Sequence, residues 1–177
     1  MLQPQPQWYW YLNSEGQLSV CLKDELQFVT PYANKQLLNL PSKATGFNLE
    51  DHEIFIRIQE ECAELLQSCS KGLQLQVLLN ATAALRFHKP IAMKSWLFRI
   101  QPMASQTLPS GIQWISTQME QAMVMVLEVS GSAATCMVLA DNLALDNGKS
   151  LKQFELVRVS HDRLMSWQES QLEKKRA

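Results

Sequence analysis

The sequence predicts an α+β fold: an N-terminal α/β unit built from a three-strand meander and about three helices, followed by a C-terminal, mainly antiparallel, barrel-like β unit. Three observations predict it. Apolar residues alternate with polar ones in the segments between Trp8 and Thr30, at the period of a strand. They then recur at helical spacing between Asn48 and His88. Beyond Pro90, short apolar runs are divided by turns rich in Gly, Asn and Ser, the pattern of antiparallel strands.

The meander comes first. Residues 8–12, 17–23 and 26–30 read as strands, separated by Asn13-Ser14-Glu15-Gly16 and by Asp24-Glu25. In the second strand Leu18, Val20 and Leu22 alternate with Gln17, Ser19 and Cys21, so one face of the meander is apolar. Thr30-Pro31 then suits a helix start, with Ala33, Leu37 and Leu40 on one face and Pro41 as the stop. A polar connector, Ser42 to Phe47, follows.

Asn48 suits a helix cap with Asp51 in the first turn, and Phe55, Ile58, Cys62, Leu65, Leu66 and Cys69 fall on one face behind it. The β-forming trio Ile54-Phe55-Ile56 also fits a strand, but the length of the periodic run favours the helix. From Leu73 to His88 apolar residues cover most of the circumference, which predicts a central, buried helix ending before Pro90. In the second half, 95–101, 112–117, 122–130, 133–140, 143–146 and 151–159 read as strands, and Ser160 as the cap of a short last helix through Leu164 and Trp167. The expected layout is therefore 1–90, 91–167 and a polar tail at 168–177.

Composition narrows the function. A chain of 177 residues with 46% hydrophobic content buries roughly 70% of its unfolded surface, enough to fold without staples. Sixteen basic against 17 acidic residues give a net charge of −1, so no global positive field draws in nucleic acid or an anionic membrane. Cys21, Cys62, Cys69 and Cys136 form no CxxC pair. Cys62 and Cys69 stand roughly 10 Å apart along one helix, too far for a disulfide, and all four read as reduced, mostly buried thiols. The start shows no secretory pattern, and no run approaches the ~18 apolar residues of a membrane span. A cytoplasmic address without membrane insertion is expected.

Motifs for catalysis are weak. Ser160-His161-Asp162 contains the residue types of a hydrolase triad, but sequence neighbours project in different directions and cannot form the relay. Gly148-Lys149-Ser150 imitates the end of a phosphate loop, yet Leu143 stands where the first glycine is required. His52, His88 and His161 are scattered and lack metal-ligand spacing. Glu60, Glu61 and Glu64 read as a solvated helix face. No enzyme activity, metal or cofactor is expected.

Two features bear on binding. Trp8, Tyr9, Trp10 and Tyr11 put aromatics on both faces of one strand, where they either line a groove or belong to the core. Lys89 and Lys94 bracket Pro90 between the two halves, near Arg86, Trp96 and Arg99; they suit an acidic peptide or plain solvent.

The stretch Leu79-Asn80-Ala81, Ala84, Arg86, Lys89-Pro90, Lys94-Ser95-Trp96 and Phe98 resembles the central signature of the bacterial cell division protein ZapC family. Trp8-x-Trp10-Tyr11, Gly46-Phe47 and Asp162-Arg163-Leu164 extend the resemblance, in order, over nearly the whole chain. It implies a cytoplasmic, midcell protein that binds the tubulin-like GTPase FtsZ, promotes lateral bundling of its filaments, stabilises the division ring and lowers GTP turnover. It also implies an apolar pocket involving Trp10, Leu18, Val20, Leu22 and Phe28, with Lys89 and Lys94 as basic contacts, and self-association is a further expectation. The competing expectation is a non-catalytic module or chaperone for a different apolar client or small ligand. His88, where the family tends to an aliphatic residue, and the weakly acidic turn Asn13 to Gly16 depart from the family pattern.

Overall fold

The computed structural model describes residues 1–23, 26–40, 43–102 and 107–167. The expected Asp24-Glu25 turn, the stop at Pro41 and the tail 168–177 lie outside the described residues. The chain divides into two compact units, Met1–Pro90 and Ile91–Ala177.

In the first unit, β1 (Tyr9–Leu12), β2 (Gln17–Cys21), β3 (Gln27–Ala33) and β4 (Thr45–Gly46) form one sheet in the order β3-β2-β1-β4. The β1–β2 turn closes because Asn13 Oδ1 accepts from the backbone N–H of Glu15 (3.0 Å) and Gln17 (2.9 Å), while Gly16 takes a positive φ of 74°. Trp10 pairs with Val20, Val20 with Phe28 and Leu12 with Leu18, which collects the alternating apolar residues on one face.

Three helices follow: α1 (Leu49–Glu61), α2 (Ala63–Gln67) and α3 (Lys71–Phe87). The expected cap of α1 is present as a reciprocal box. Asn48 N–H donates to Asp51 Oδ2 (2.8 Å), and Asp51 N–H donates to Asn48 Oδ1 (3.1 Å). The single helix expected to Cys69 is broken at Cys62, whose φ of −114° separates α1 from α2. Ser70 Oγ caps α3, accepting from Leu73 N–H at 3.2 Å, and α3 is buried continuously from Val77 to Ala84, as its broad apolar arc predicts.

Aromatic rings make the core of this unit. Trp10 stacks on Phe47 (5.5 Å between centroids, 23° between planes) and meets Phe87 edge-on at 5.4 Å. Trp8 meets Phe47 and Phe55 edge-on. One ion pair fastens the helices: Arg86 near the end of α3 donates from Nε to Asp51 Oδ1 (2.7 Å) and contacts Glu50 Oε2 (2.7 Å), both in the first turn of α1.

The helix expected from Thr30 is absent. Backbone pairing continues through Pro31 to Ala33, followed by a short 3-10 turn at Asn34–Gln36. The reason is positional: β3 is an edge strand, where a missing N–H costs no ladder bond. Thr30 Oγ1, instead of capping, donates to Leu18 O at 2.8 Å. The polar connector also hides β4, a two-residue strand too short to carry periodicity.

In the second unit, β5 (Ile112–Ser116), β6 (Gln121–Ser130), β7 (Ala133–Val138), β10 (Leu156–Ser160) and β11 (Leu164–Ser166) form an antiparallel sheet in the order β10-β7-β6-β5-β11. β8 (Asn142–Ala144) and β9 (Ser150–Lys152) form a separate hairpin. The expected barrel is corrected to an open sheet: β10 and β11 lie at opposite ends and are not paired with each other. Its core includes Phe98, Ile115, Val124, Cys136, Val157 and Leu164.

Three further expectations change here. The strand at 95–101 is a 3-10 turn, Ser95–Leu97, because Ser95 Oγ accepts from Ser160 N–H at 2.8 Å and pulls the segment onto β10. The run 151–159 is split at Phe154, which takes a φ of 68°. The last helix is a short turn, His161–Arg163, followed by β11: Leu164 is buried where it pairs with Ile115, and Ser160 Oγ donates to Asp162 Oδ1 (2.5 Å) instead of capping. No helix among the described residues is long and apolar enough to cross a membrane.

Two outcomes test this packing. Arg86→Leu should cost about 3 kcal/mol in urea unfolding at unchanged slope, because it strands the buried Asp51 carboxylate; Glu50→Gln, at an exposed carboxylate, should cost less than about 1 kcal/mol. Equal losses would show that the pair does not fasten the helices. Burial pushes the Cys62 and Cys136 thiols up to about 12, so at pH 8 they stay protonated. Mass spectrometry after thiol alkylation should find Cys21 and Cys69 modified in the native chain, and Cys62 and Cys136 only in urea.

Candidate partner-binding site

The apolar residues expected to line a pocket are those the sheet turns toward the helices. Trp10, Leu18 and Val20 have 0% exposure and Leu22 has 6%. Alternation placed them correctly on one face, but that face is covered, and the four offer no surface for a partner to touch in this conformation. Phe28, on β3, is partly exposed and is the member of the set that keeps an accessible side chain.

The two lysines are exposed, and each is mounted by its backbone. In the first unit, Lys89 N–H donates to Gln36 O at 2.8 Å and its ammonium donates to Lys35 O at 2.8 Å. In the second unit, Lys94 N–H donates to Arg158 O at 2.8 Å, beside a parallel bridge between Met93 and Arg158. Their neighbour Arg86 is not free for a partner, since Asp51 and Glu50 neutralise it.

A regional charge asymmetry was missed behind the balanced total. From Leu65 to Met119 the sequence contains no Asp or Glu, yet carries Lys71, Arg86, Lys89, Lys94 and Arg99. With Arg86 paired, Lys89 in the first unit and Lys94 and Arg99 in the second form no ion pair among the described residues. Counting charge by segment rather than by chain would have found this.

The structure also shows large apolar groups that periodicity could not place outside. On the sheet face away from the helices, Tyr9 and Tyr11 lie 5.9 Å apart and Val29 is exposed. In the second unit Met93, Trp96 and Ile100 are exposed around Lys94 and Arg99. The catalytic look-alikes resolve structurally: Ser160 and Asp162 bond directly, with no imidazole between them, and Gly148 (φ 79°) turns the β8–β9 hairpin. Among the described residues no group of three or more His, Cys, Asp or Glu is placed to hold a metal ion.

Comparison with known proteins extends over both units. Residues 1–89 match the family described as cell-division protein ZapC, N-terminal, and residues 90–170 match cell-division protein ZapC, C-terminal. Among similar proteins, a cell division protein ZapC of Pseudoalteromonas atlantica is 39% identical over 173 residues, covering 93% of each chain. One of Shewanella woodyi is 34% identical, covering 93% of this chain and 91% of its own, and one of Photobacterium profundum is 30% identical, covering 96% and 94%. Similarity of this extent, spanning both units and nearly the full length of the relatives, shows that the chain belongs to the ZapC family of cell-division proteins.

Proposed function

We propose that this chain is a non-catalytic, cytoplasmic protein that binds FtsZ filaments at midcell, promotes their lateral association, stabilises the division ring and lowers filament GTP turnover. Family membership over both units carries the reading. The acid-free stretch from Leu65 to Met119 supports it with a physical means of attachment, because exposed lysines attract acidic protein segments and speed their encounter.

Each unit offers its own contacts: in the second, Lys94 meets carboxylates of the filament, and in the first, Lys89 meets carboxylates and Phe28 supplies accessible apolar surface. Trp10, Leu18, Val20 and Leu22 contribute by fixing the sheet beneath it. Bundling then needs two attachments per unit of cross-link, from two regions of one molecule or from two self-associated copies, and each pair of modest contacts gains from effective concentration.

Co-sedimentation with purified FtsZ polymerised by GTP tests the reading. The wild-type chain should pellet with polymers, and Lys89→Asp combined with Lys94→Asp should weaken pelleting severalfold while the thermal midpoint hardly moves, since exposed substitutions change stability by about 0.5 kcal/mol or less. Full pelleting of the double variant would remove the lysines from the contact, and no pelleting of the wild type would defeat the reading.

A further inference from the structure

Exposed apolar side chains gathered in one segment mark an interaction surface where a single one would not, and Met93, Trp96 and Ile100 are all exposed within eight residues. Trp96 is 73% exposed, and Ile100 beside it is 61% exposed. These residues are not on a loose loop. Lys94 N–H is bonded to Arg158 O, Ser95 Oγ to Ser160 N–H, and Arg99 N–H to Ser116 O at 2.8 Å, while the intervening Phe98 is 4% exposed and anchored in the core. The turn is fixed at both ends, and Trp96 lies within it with its side chain exposed.

The charges of this segment are one-sided. Lys94 and Arg99 bracket Trp96 in the sequence, and neither forms an ion pair among the described residues, where the Arg99 guanidinium donates to Gln118 O at 3.5 Å. The carboxylates on the neighbouring elements are engaged elsewhere: Asp162 with Ser160 Oγ and Arg163, Asp146 with Gln118 N–H, and Glu120 with Ala144 N–H. An exposed aromatic on a bonded turn, with two cations in the same short segment that form no ion pair among the described residues, is the chemistry that anchors an acidic segment through one apolar side chain.

We propose that Trp96, bracketed in sequence by Lys94 and Arg99, is a fixed docking platform for an acidic segment of a partner protein that carries an apolar side chain. The proposal rests on the filament-binding reading for the partner's identity, but not for its chemistry. An anionic membrane is the competing surface and is disfavoured here. Two cations contribute only about 1 kcal/mol each at a lipid surface, too little for stable attachment of a chain with net charge −1.

The five tryptophans of the full chain, replaced biosynthetically by 5-fluorotryptophan, give separate fluorine resonances, with Trp96 assigned by its loss in Trp96→Phe. A short synthetic peptide of aspartates around a central phenylalanine should shift the Trp96 resonance. Trp96→Ala should weaken pelleting with FtsZ polymers about tenfold or more at an unchanged thermal midpoint. A Trp96 resonance that ignores the peptide, or responds instead to phosphatidylglycerol vesicles alone, would overturn the platform. So would full-affinity pelleting of Trp96→Ala, which leaves the filament reading standing. A wild-type chain that fails to pellet while Trp96 answers the peptide defeats the filament reading and supports the platform.

Discussion

The contact on which the first unit depends is the ion pair between Arg86 and the buried Asp51. A carboxylate with no exposed surface is costly unless its oxygens are occupied, and here both are: Oδ1 accepts from Arg86 and Oδ2 from the Asn48 N–H. This one residue thus completes the capping box of α1 and fastens its first turn to the last turn of α3. With the two helices registered, Phe55 and Phe87 are delivered onto Trp8 and Trp10, and the sheet face is closed. The same pairing removes Arg86 from the pool of available cations.

Closure of the sheet face moves the search for function outward. A pocket built from Trp10, Leu18, Val20 and Leu22 would need the helices to lift away from the sheet, at the expense of the aromatic stack and the ion pair together. The exposed features require no such rearrangement. Lys89, Lys94, Arg99 and Trp96 are presented by backbone bonds already made, so little conformational entropy remains to be lost when a partner arrives. In each unit a dry core holds a small number of charged and aromatic groups in fixed positions at the surface.

How much of this was legible in the sequence follows from which signals are local. The box at Asn48 and Asp51, the apolar arc of α3 and the turn at Gly16 depend on residues a few positions apart, and they were read correctly. Thr30-Pro31 carries the local chemistry of a helix start, but edge position in the sheet decided otherwise, and edges are a property of the whole topology. Ser95 misled for the same reason, since its hydroxyl accepts from the distant Ser160 N–H, whereas the Ser160 hydroxyl turns to Asp162 two residues on. The meeting of Arg86 with Asp51 is likewise non-local. At the site, alternation told which residues share a face but not whether that face is covered, so Trp10 and Val20 were placed correctly and taken for pocket lining. Trp96 was legible as a neighbour of the lysines but not as an exposed ring, because exposure has no signature in sequence.

Hydrogen exchange of the chain with and without FtsZ polymers tests most directly whether partners are held by the outer, preformed surface rather than by an opened core. The account predicts that polymers slow exchange of amides at 93–101, with β1 and β2 as protected as in the free chain. Faster exchange across β1 and β2 in the presence of polymers, with 93–101 unchanged, would contradict it and show that the aromatic core opens to receive the partner.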